Sequence, residues 1–325
     1  MITIQDVARA ANVSTATVSR VLNGRDSVNP EMTVRVIETV KRLGYRRNGV
    51  ARNLRRRTAS VWGLIISDVE SSYFTGLVRG VEDVARENGF SVVVCNSHDE
   101  VAQEAAYIEV IIAEQMAGVI MSPSRPDSDI SELTQRGIPV VTIDRRLSTP
   151  ASSSVVVDNV AAARRATIHL LDNGYRRIAC VTGPQHISTA VERLVGYRLA
   201  LEERGIPRVA DLERFANFRE DGGYAAVEVL LALEERPDAL LLGNGLMTVG
   251  ALRALHERGC SVPSEIGVVG FDDSPWAQVT DPPLTTVSQP AGAVGRVAAK
   301  LLLAGAPTKQ RVLATDLIVR SSSTR

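Results

Sequence analysis

Three things are scarce in this sequence, and each scarcity excludes a class. There are three cysteines, Cys95, Cys180 and Cys260, far apart and in no CxxC pair. With no His at metal spacing, that excludes a disulfide framework and a metal site and leaves reduced, mostly buried thiols. No apolar run approaches the ~20 residues of a membrane span, so no membrane partner is expected. Gln5, Asp6 and Arg9 stand where a secretory leader needs unbroken apolar residues, and a cytoplasmic location is the expectation. Nucleotide motifs are also missing. Gly243-Asn244-Gly245-Leu246-Met247-Thr248 has Thr where GxGxxG requires its third Gly, and no P-loop or HExxH occurs, so no cofactor is expected. Aromatics make up 4% of the chain and hydrophobic residues 45%, yet 325 residues suffice for two or three domains with sizeable cores.

Net charge is zero, with 37 basic and 37 acidic residues, but the two signs are not spread evenly. Residues 1–60 hold twelve Lys and Arg against four acids, a balance of +8, which leaves −8 for the remainder. A basic head sits on an acidic body. The head has the sign that attracts phosphate backbone and releases its counterions.

The same head carries two short amphipathic helical patterns separated by a turn at Ala11, Asn12 and Val13. Thr3 with Asp6 has the spacing of a capping box, Ile4, Val7 and Ala8 form one apolar stripe, and Ser14 caps the second pattern. Val18, Val21 and Leu22 face inward there, leaving Thr15, Ala16, Thr17, Ser19 and Arg20 outside, the layout of a helix-turn-helix whose second helix enters a DNA major groove. A third helix is expected from Pro30, with Asn29 as cap, to Gly44. Then comes a basic hinge, in which Leu54 stands among arginines with no core to enter, a placement suited to a wedge in the minor groove.

From Val61 the pattern changes to short apolar runs alternating with helical stretches: 61–66, 91–94, 119–121, 139–143, 177–181, 239–242 and 266–270. Gly89, Gly137, Gly174, Gly205 and Gly259 each end a helical stretch ahead of the next strand. These are βα units of doubly wound parallel sheets, enough for two lobes, with a ligand expected beyond the carboxyl ends of the strands. The expected domains are a head at 1–46, a hinge at 47–60 and a body at 61–325. Within the body the lobes fall at roughly 61–157 and 158–285. The tail, 286–325, returns as a helix from Pro290 to Leu303 and one strand from Arg311 to Val319.

Along its whole length the chain resembles the LacI/GalR family of bacterial transcription regulators. The strings that carry the resemblance are 4–8 (Ile-Gln-Asp-Val-Ala), 13–23 (Val-Ser-Thr-Ala-Thr-Val-Ser-Arg-Val-Leu-Asn) and 48–54 (Asn-Gly-Val-Ala-Arg-Asn-Leu) in head and hinge. In the body they are 140–145, 157–159, 174–179, 268–273 and 284–290. The resemblance implies an α/β fold with a three-helix helix-turn-helix head, a hinge helix and a two-lobed body like a periplasmic sugar-binding protein. It implies a dimer, or a dimer of dimers, on a near-palindromic double-stranded operator, acting as a repressor and sensing a small molecule, a sugar or nucleoside. Position by position, it makes Thr15 and Ala16 the first readers of bases, with Thr17, Ser19, Arg20 and Asn23 in support, Asn48 and Arg55 at the hinge, and Leu54 the wedge. In the body Thr189 and Arg193 lie in a segment whose Arg points into the cleft, and Asp272 faces the same cleft. A guanidinium fork and a carboxylate together suit neighbouring hydroxyls. Tyr73, Phe74, Phe218 and Trp276 are candidate flat walls for a ring, and Asn244 is a further amide ligand.

Three positions depart from the family pattern. Arg47 replaces a Pro, Ser71-Ser72 replaces Asn-Pro, and Asn244-Gly245 replaces Asn-Asp, so the effector is not to be borrowed from any one relative. An enzyme reading would use Asp272 and Asp273 as an acid/base pair, but adjacent residues leaving a strand do not hold a substrate between them. A periplasmic binding protein fits the body and leaves the basic head unexplained.

Overall fold

The structure is a computed structural model that describes residues 2–22, 28–45, 59–148, 152–305 and 308–325. The chain forms two compact units, Met1–Thr58 and Ala59–Arg325.

In the first unit the capping box forms as the spacing predicts: Thr3 N donates to Asp6 Oδ2 at 2.9 Å and Asp6 N to Thr3 Oγ1 at 3.3 Å, opening α1 (Ile4–Ala11). Asn12 turns the chain with φ +54°, a left-handed conformation that asparagine tolerates, and Val13 N reaches back to Ala8 O at 3.0 Å. Ser14 Oγ accepts from Thr17 N at 3.0 Å and starts α2 (Thr15–Leu22). Asn29 caps α3 (Pro30–Leu43), and Gly44 ends it at φ +62°. Val7, Ala8, Ala11, Val18 and Val36 close a small core between the three helices.

The second unit is built on two six-stranded sheets. The first holds β1 (Ala59–Ile66), β2 (Ser91–Asn96), β3 (Met116–Met121), β4 (Val140–Ile143) and β5 (Ser153–Val157), joined by β11 (Gln310–Leu313). Its order is β11-β5-β4-β3-β1-β2. The second holds β6 (Ile178–Thr182), β7 (Glu213–Phe215), β8 (Ala239–Leu242), β9 (Gly267–Phe271), β10 (Thr285–Ser288) and β12 (Asp316–Ile318), in the order β12-β10-β9-β8-β6-β7. Among the described residues all pairings are parallel except β10 with β12. The two orders match strand for strand, and the lobes differ at one edge, where β11 runs parallel to β5 and β12 antiparallel to β10.

Helices cover both faces, which is why the strands read as continuous apolar runs. In the first lobe α4 (Ser72–Glu87) and the returning α11 (Ala291–Ala304) lie over Leu64 and Ile66, while α5 (Val101–Ala113) and α6 (Ser131–Gln135) lie over Ile65. In the second, α7 (Asn159–Asp172) and α8 (Ser188–Glu203) cover Val269 and Phe271, and α9 (Glu220–Leu231) and α10 (Gly245–Glu257) cover Val268. The tail helix is drawn against α4 by glycine: a Cβ at Gly295 would lie 2.2 Å from Leu77 O, so the two backbones pack directly.

The tail corrects the sequence reading. The single strand expected from Arg311 to Val319 is two strands, one in each sheet. The chain crosses between lobes at Thr315, whose carbonyl and hydroxyl accept from Arg165 Nη2 at 2.7 and 2.6 Å. With the connections from β5 to α7 and from β10 to α11, that makes three crossings. Among the described residues no helix is long and apolar enough to cross a membrane.

Candidate functional site

On the head, Thr15, Ala16 and Arg20 are exposed on α2, and Thr17 and Ser19 are half-buried beside them. Ser14 Oγ and Thr17 Oγ1 are 2.9 Å apart, which ties Thr17 to the cap. Small residues thus occupy the helix's amino-terminal end, where its backbone can approach a groove closely. Asn23, Asn48, Leu54 and Arg55 lie outside the described residues.

Between the lobes of the body is a cavity of about 270 Å³ at the carboxyl ends of the strands. The first lobe contributes Tyr73 and Phe74 from the opening turn of α4, Asp99 from the loop after β2, and Asp144 and Arg145 from the end of β4. The second contributes Thr189 and Arg193 from α8, Phe218 after β7, Asn244 after β8, Asp272 after β9 and Gln289 after β10.

Arg193 is 4% exposed and rigidly held. Its Nε donates to Asn159 Oδ1 at 2.9 Å, its Nη1 donates to Gly243 O, and its guanidinium stacks 4.2 Å above the Phe271 ring. Asp272 takes φ +70° and accepts from Gly245 N at 3.2 Å and Gln289 Nε2 at 2.6 Å. On the facing lobe Asp144 takes φ +63°. Burial raises its carboxyl above the ordinary range, against the pull of Arg145 and Arg193. The Arg145 guanidinium loses water on burial, but Asp99 and Asp144 outweigh that loss and hold its pKa above the usual value. It donates to Asp99 at 2.5 and 3.3 Å and to Pro123 O at 3.2 Å.

Aromatic rings stand on both sides. Tyr73 and Phe74 meet edge to face at 5.2 Å. Phe218, at φ +62°, lies over Gly183, where a Cβ would come within 2.1 Å of its ring. Asn244 lines the cavity, but its oxygen caps α10 through Met247 N at 2.9 Å and its nitrogen donates to Phe218 O at 2.7 Å, so it holds the aromatic wall in place. Trp276 is not in the lining. It lies in the 3-10 turn Pro275–Gln278 and packs against the core beneath α9 and α10, the ordinary use of an aromatic. Asp273 turns away from Asp272 to Arg320, at 2.7 and 3.1 Å, so the two carboxylates do not share a site.

Sequence reasoning missed Asp99, Asp144, Arg145 and Gln289. Thr-Ile-Asp-Arg at the end of β4 parallels Gly-Phe-Asp-Asp at the end of β9, and that match between strand ends is the signal that finds Asp144.

A basic-charged helix-turn-helix unit and a two-lobed ligand-binding unit together define a class, the ligand-responsive DNA-binding regulator. Residues 3–48 match the model described as bacterial regulatory proteins, lacI family, and residues 167–323 that of a periplasmic binding protein-like domain. A ribose operon repressor of Halalkalibacterium halodurans is 35% identical over 99% of this chain and 97% of its own. The lac repressor dimer bound to operator and the anti-inducer ONPF has a TM-score of 0.89 at 27% identity, covering 100% of this chain and 99% of that one. The CelR-cellobiose complex has a TM-score of 0.75 at 33% identity, covering 99% of this chain and 100% of that one. The chain belongs to the lacI family of bacterial regulatory proteins.

Proposed function

We propose that this protein is a cytoplasmic transcriptional repressor without enzymatic activity, which binds a pseudo-palindromic operator as a homodimer and changes its affinity when a neutral sugar or nucleoside enters the interlobe cavity. The reading divides the chain into a head at 1–46, a hinge at 47–60 and a body from 61. Thr15 and Ala16 read bases, Thr17, Ser19, Arg20 and Asn23 support them, Leu54 wedges the minor groove, and Asn48 and Arg55 hold the backbone beside it.

The observation that carries the effector class is the cavity's charge arrangement. Arg145 is matched by Asp99 and Asp144, and Asp272 is engaged by Gln289 and Gly245. A charged ligand meets both signs at close range, whereas hydroxyls find both donors and acceptors, and the rings of Tyr73, Phe74 and Phe218 offer flat apolar walls to one sugar or base ring. The CelR-cellobiose complex and the operator-bound lac repressor dimer support the same reading. Closure of the lobes around the effector would shift operator affinity by a coupling of about 1–3 kcal/mol.

The test is selection of operators from a random DNA library, followed by anisotropy titrations with and without neutral sugars and nucleosides. A paired half-site and a steep loss of affinity with salt are expected. Replacing Thr15 and Ala16 together is expected to change the selected bases. An unpaired site, or an operator affinity that no neutral sugar or nucleoside moves, overturns the reading.

A further inference from the structure

A residue that lines the cavity carries a polar atom with no role in the fold. Tyr73 is 6% exposed, and its hydroxyl is buried without a hydrogen-bond partner among the described residues. The ring itself is fully explained: it packs in the core of the first lobe and against Phe74. Phenylalanine would supply the same ring, without the free-energy cost of a dry, unmatched hydroxyl.

The surroundings of that hydroxyl point to a ligand. It lies within electrostatic reach of Asp144 and Arg145 from one lobe and of Asp272 and Arg193 from the other, and all four line the cavity. Each already has another partner. Asp272 holds Gly245 and Gln289, Asp144 faces Arg145 at 3.3 Å, Arg145 holds Asp99 and Pro123, and Arg193 holds Asn159 and Gly243.

A second unmatched atom lies on the same cavity. Gln289 Oε1 is buried without a partner among the described residues. The amide nitrogen of the same side chain donates to Asp272 Oδ1, which leaves the oxygen in need of a donor. An unpaired hydroxyl and an unpaired carbonyl oxygen on one cavity call for a ligand that offers both acceptors and donors, which is the chemistry of a polyol.

Resting on the reading of the cavity as an effector site, we propose that the Tyr73 hydroxyl is a specificity-determining donor. It hydrogen-bonds one oxygen of an unphosphorylated monosaccharide and discriminates against analogues that lack that oxygen. Asp144 and Asp272 within reach of the hydroxyl are matched by Arg145 and Arg193, so its surroundings offer no surplus of positive charge to hold a phosphate group. The discrimination is that of a site in which an absent ligand oxygen leaves a buried protein group unpaired.

The experiment is calorimetry on the full-length protein with D-ribose, D-xylose, D-glucose, D-galactose and D-mannose, then with the monodeoxy analogues of the sugar that binds best. Tyr73→Phe is expected to weaken that sugar ~10–100-fold. One monodeoxy analogue is expected to bind the parent protein weakly by a similar factor and to be indifferent to Tyr73→Phe. The ligand-free variant is expected to melt at or above the parent temperature, because it loses an unmatched polar atom. Undiminished affinity in Tyr73→Phe overturns the proposal alone, as does an equal further loss for every analogue. A lowered melting temperature in the ligand-free variant also overturns it, by showing that the hydroxyl is structural. If none of the five sugars binds the parent protein, the monosaccharide reading of the cavity fails and this proposal fails with it.

Discussion

Asp144 and Asp272 are the same residue twice. Each directly follows the equivalent strand of its lobe, β4 or β9, and each adopts a left-handed backbone, at φ +63° and +70°. Each donates its backbone N–H to the neighbouring strand, Asp144 to Val155 O at 3.1 Å and Asp272 to Val287 O at 2.9 Å. The left-handed turn carries the chain away from the sheet while the carboxylate stays at the strand's carboxyl end, so the repeated topology sets two carboxylates on opposite walls of one cavity. Their environments differ. Asp272 is held by two hydrogen bonds, and Asp144 faces Arg145 Nε at 3.3 Å.

Asparagine tolerates the left-handed region, so Asp144→Asn and Asp272→Asn test the charges without straining the turns. Each is expected to weaken effector binding by about 1.5–3 kcal/mol, the worth of a hydrogen bond to a charged group, or roughly 10–100-fold in Kd. Isothermal titration with the effector checks this, and unchanged affinity in both variants would remove the cavity from the mechanism.

The two lobes also contain carboxylates that pull stability in opposite directions with pH. Burial raises the Asp144 carboxyl, so the cost of its charge is borne above that raised pKa and vanishes as pH falls below the ordinary carboxylate range. Burial also opposes ionisation of Asp273, but the Arg320 guanidinium and the Thr286 hydroxyl outweigh it and hold that carboxyl below the usual range. Its contribution is present above the ordinary range and is lost as pH falls through the lowered value. Asp144→Asn is therefore expected to be at least as stable as the parent at pH 7, with the difference shrinking on acidification. Asp273→Asn is expected to be about 1–3 kcal/mol less stable at pH 7, with that gap also closing in acid. Thermal unfolding across pH 3–7 measures both signs.

The parts of this molecule that were legible in the sequence are those whose local chemistry admits one conformation. Gly89, Gly137, Gly174, Gly205 and Gly259 all take φ between +63° and +91°, and each was readable as a helix end because glycine adopts that region freely. The capping box at Thr3 and Asp6 was readable for the same kind of reason. Strand β10 begins with two threonines, both fully buried, and polar residues with no alternation give no strand signal. The crossing between β11 and β12 is tied at Thr315 to Arg165, 150 residues away, a contact that no local pattern announces. In the cavity, Arg193 and Asp272 stood in recognisable strings, but Trp276 looked like a wall because proximity in sequence does not say which way a 3-10 turn faces.

Two glycines on α11 make contrasting predictions. A Cβ at Gly295 meets the Leu77 carbonyl oxygen at 2.2 Å, and backbone on α4 cannot yield without separating the helices. A Cβ at Gly292 meets first the Arg296 Nη1 atom at 3.3 Å, the far end of a flexible side chain. Alanine is the better helix former by up to ~1 kcal/mol, so Gly292→Ala is expected to be neutral or stabilising. Gly295→Ala is expected to lose about 1–3 kcal/mol to overpacking despite that advantage. Denaturant unfolding distinguishes the two, and equal effects would mean that α4 and α11 do not pack backbone to backbone.

The departure at Ser71-Ser72 places a hydroxyl where a direct bond between lobes becomes possible. Ser72 Oγ, at the start of α4, lies 2.6 Å from Ser274 Oγ, which is buried just beyond the end of β9 in the other lobe. Asp272 is two residues before Ser274, and Tyr73 directly follows Ser72, so the bond joins the two walls beside the cavity. A bond across the seam favours the arrangement in which the lobes are close, and an effector that needs the same arrangement binds more tightly for it. Ser72→Ala and Ser274→Ala are each expected to weaken effector binding by about 0.5–1.5 kcal/mol, the net worth of one hydrogen bond. The double variant is expected to lose no more than either single one, since the two hydroxyls act through one interaction. The cycle is read by effector titration in all four proteins. Strictly additive losses would show that the two serines act independently and that closure does not pass through this bond.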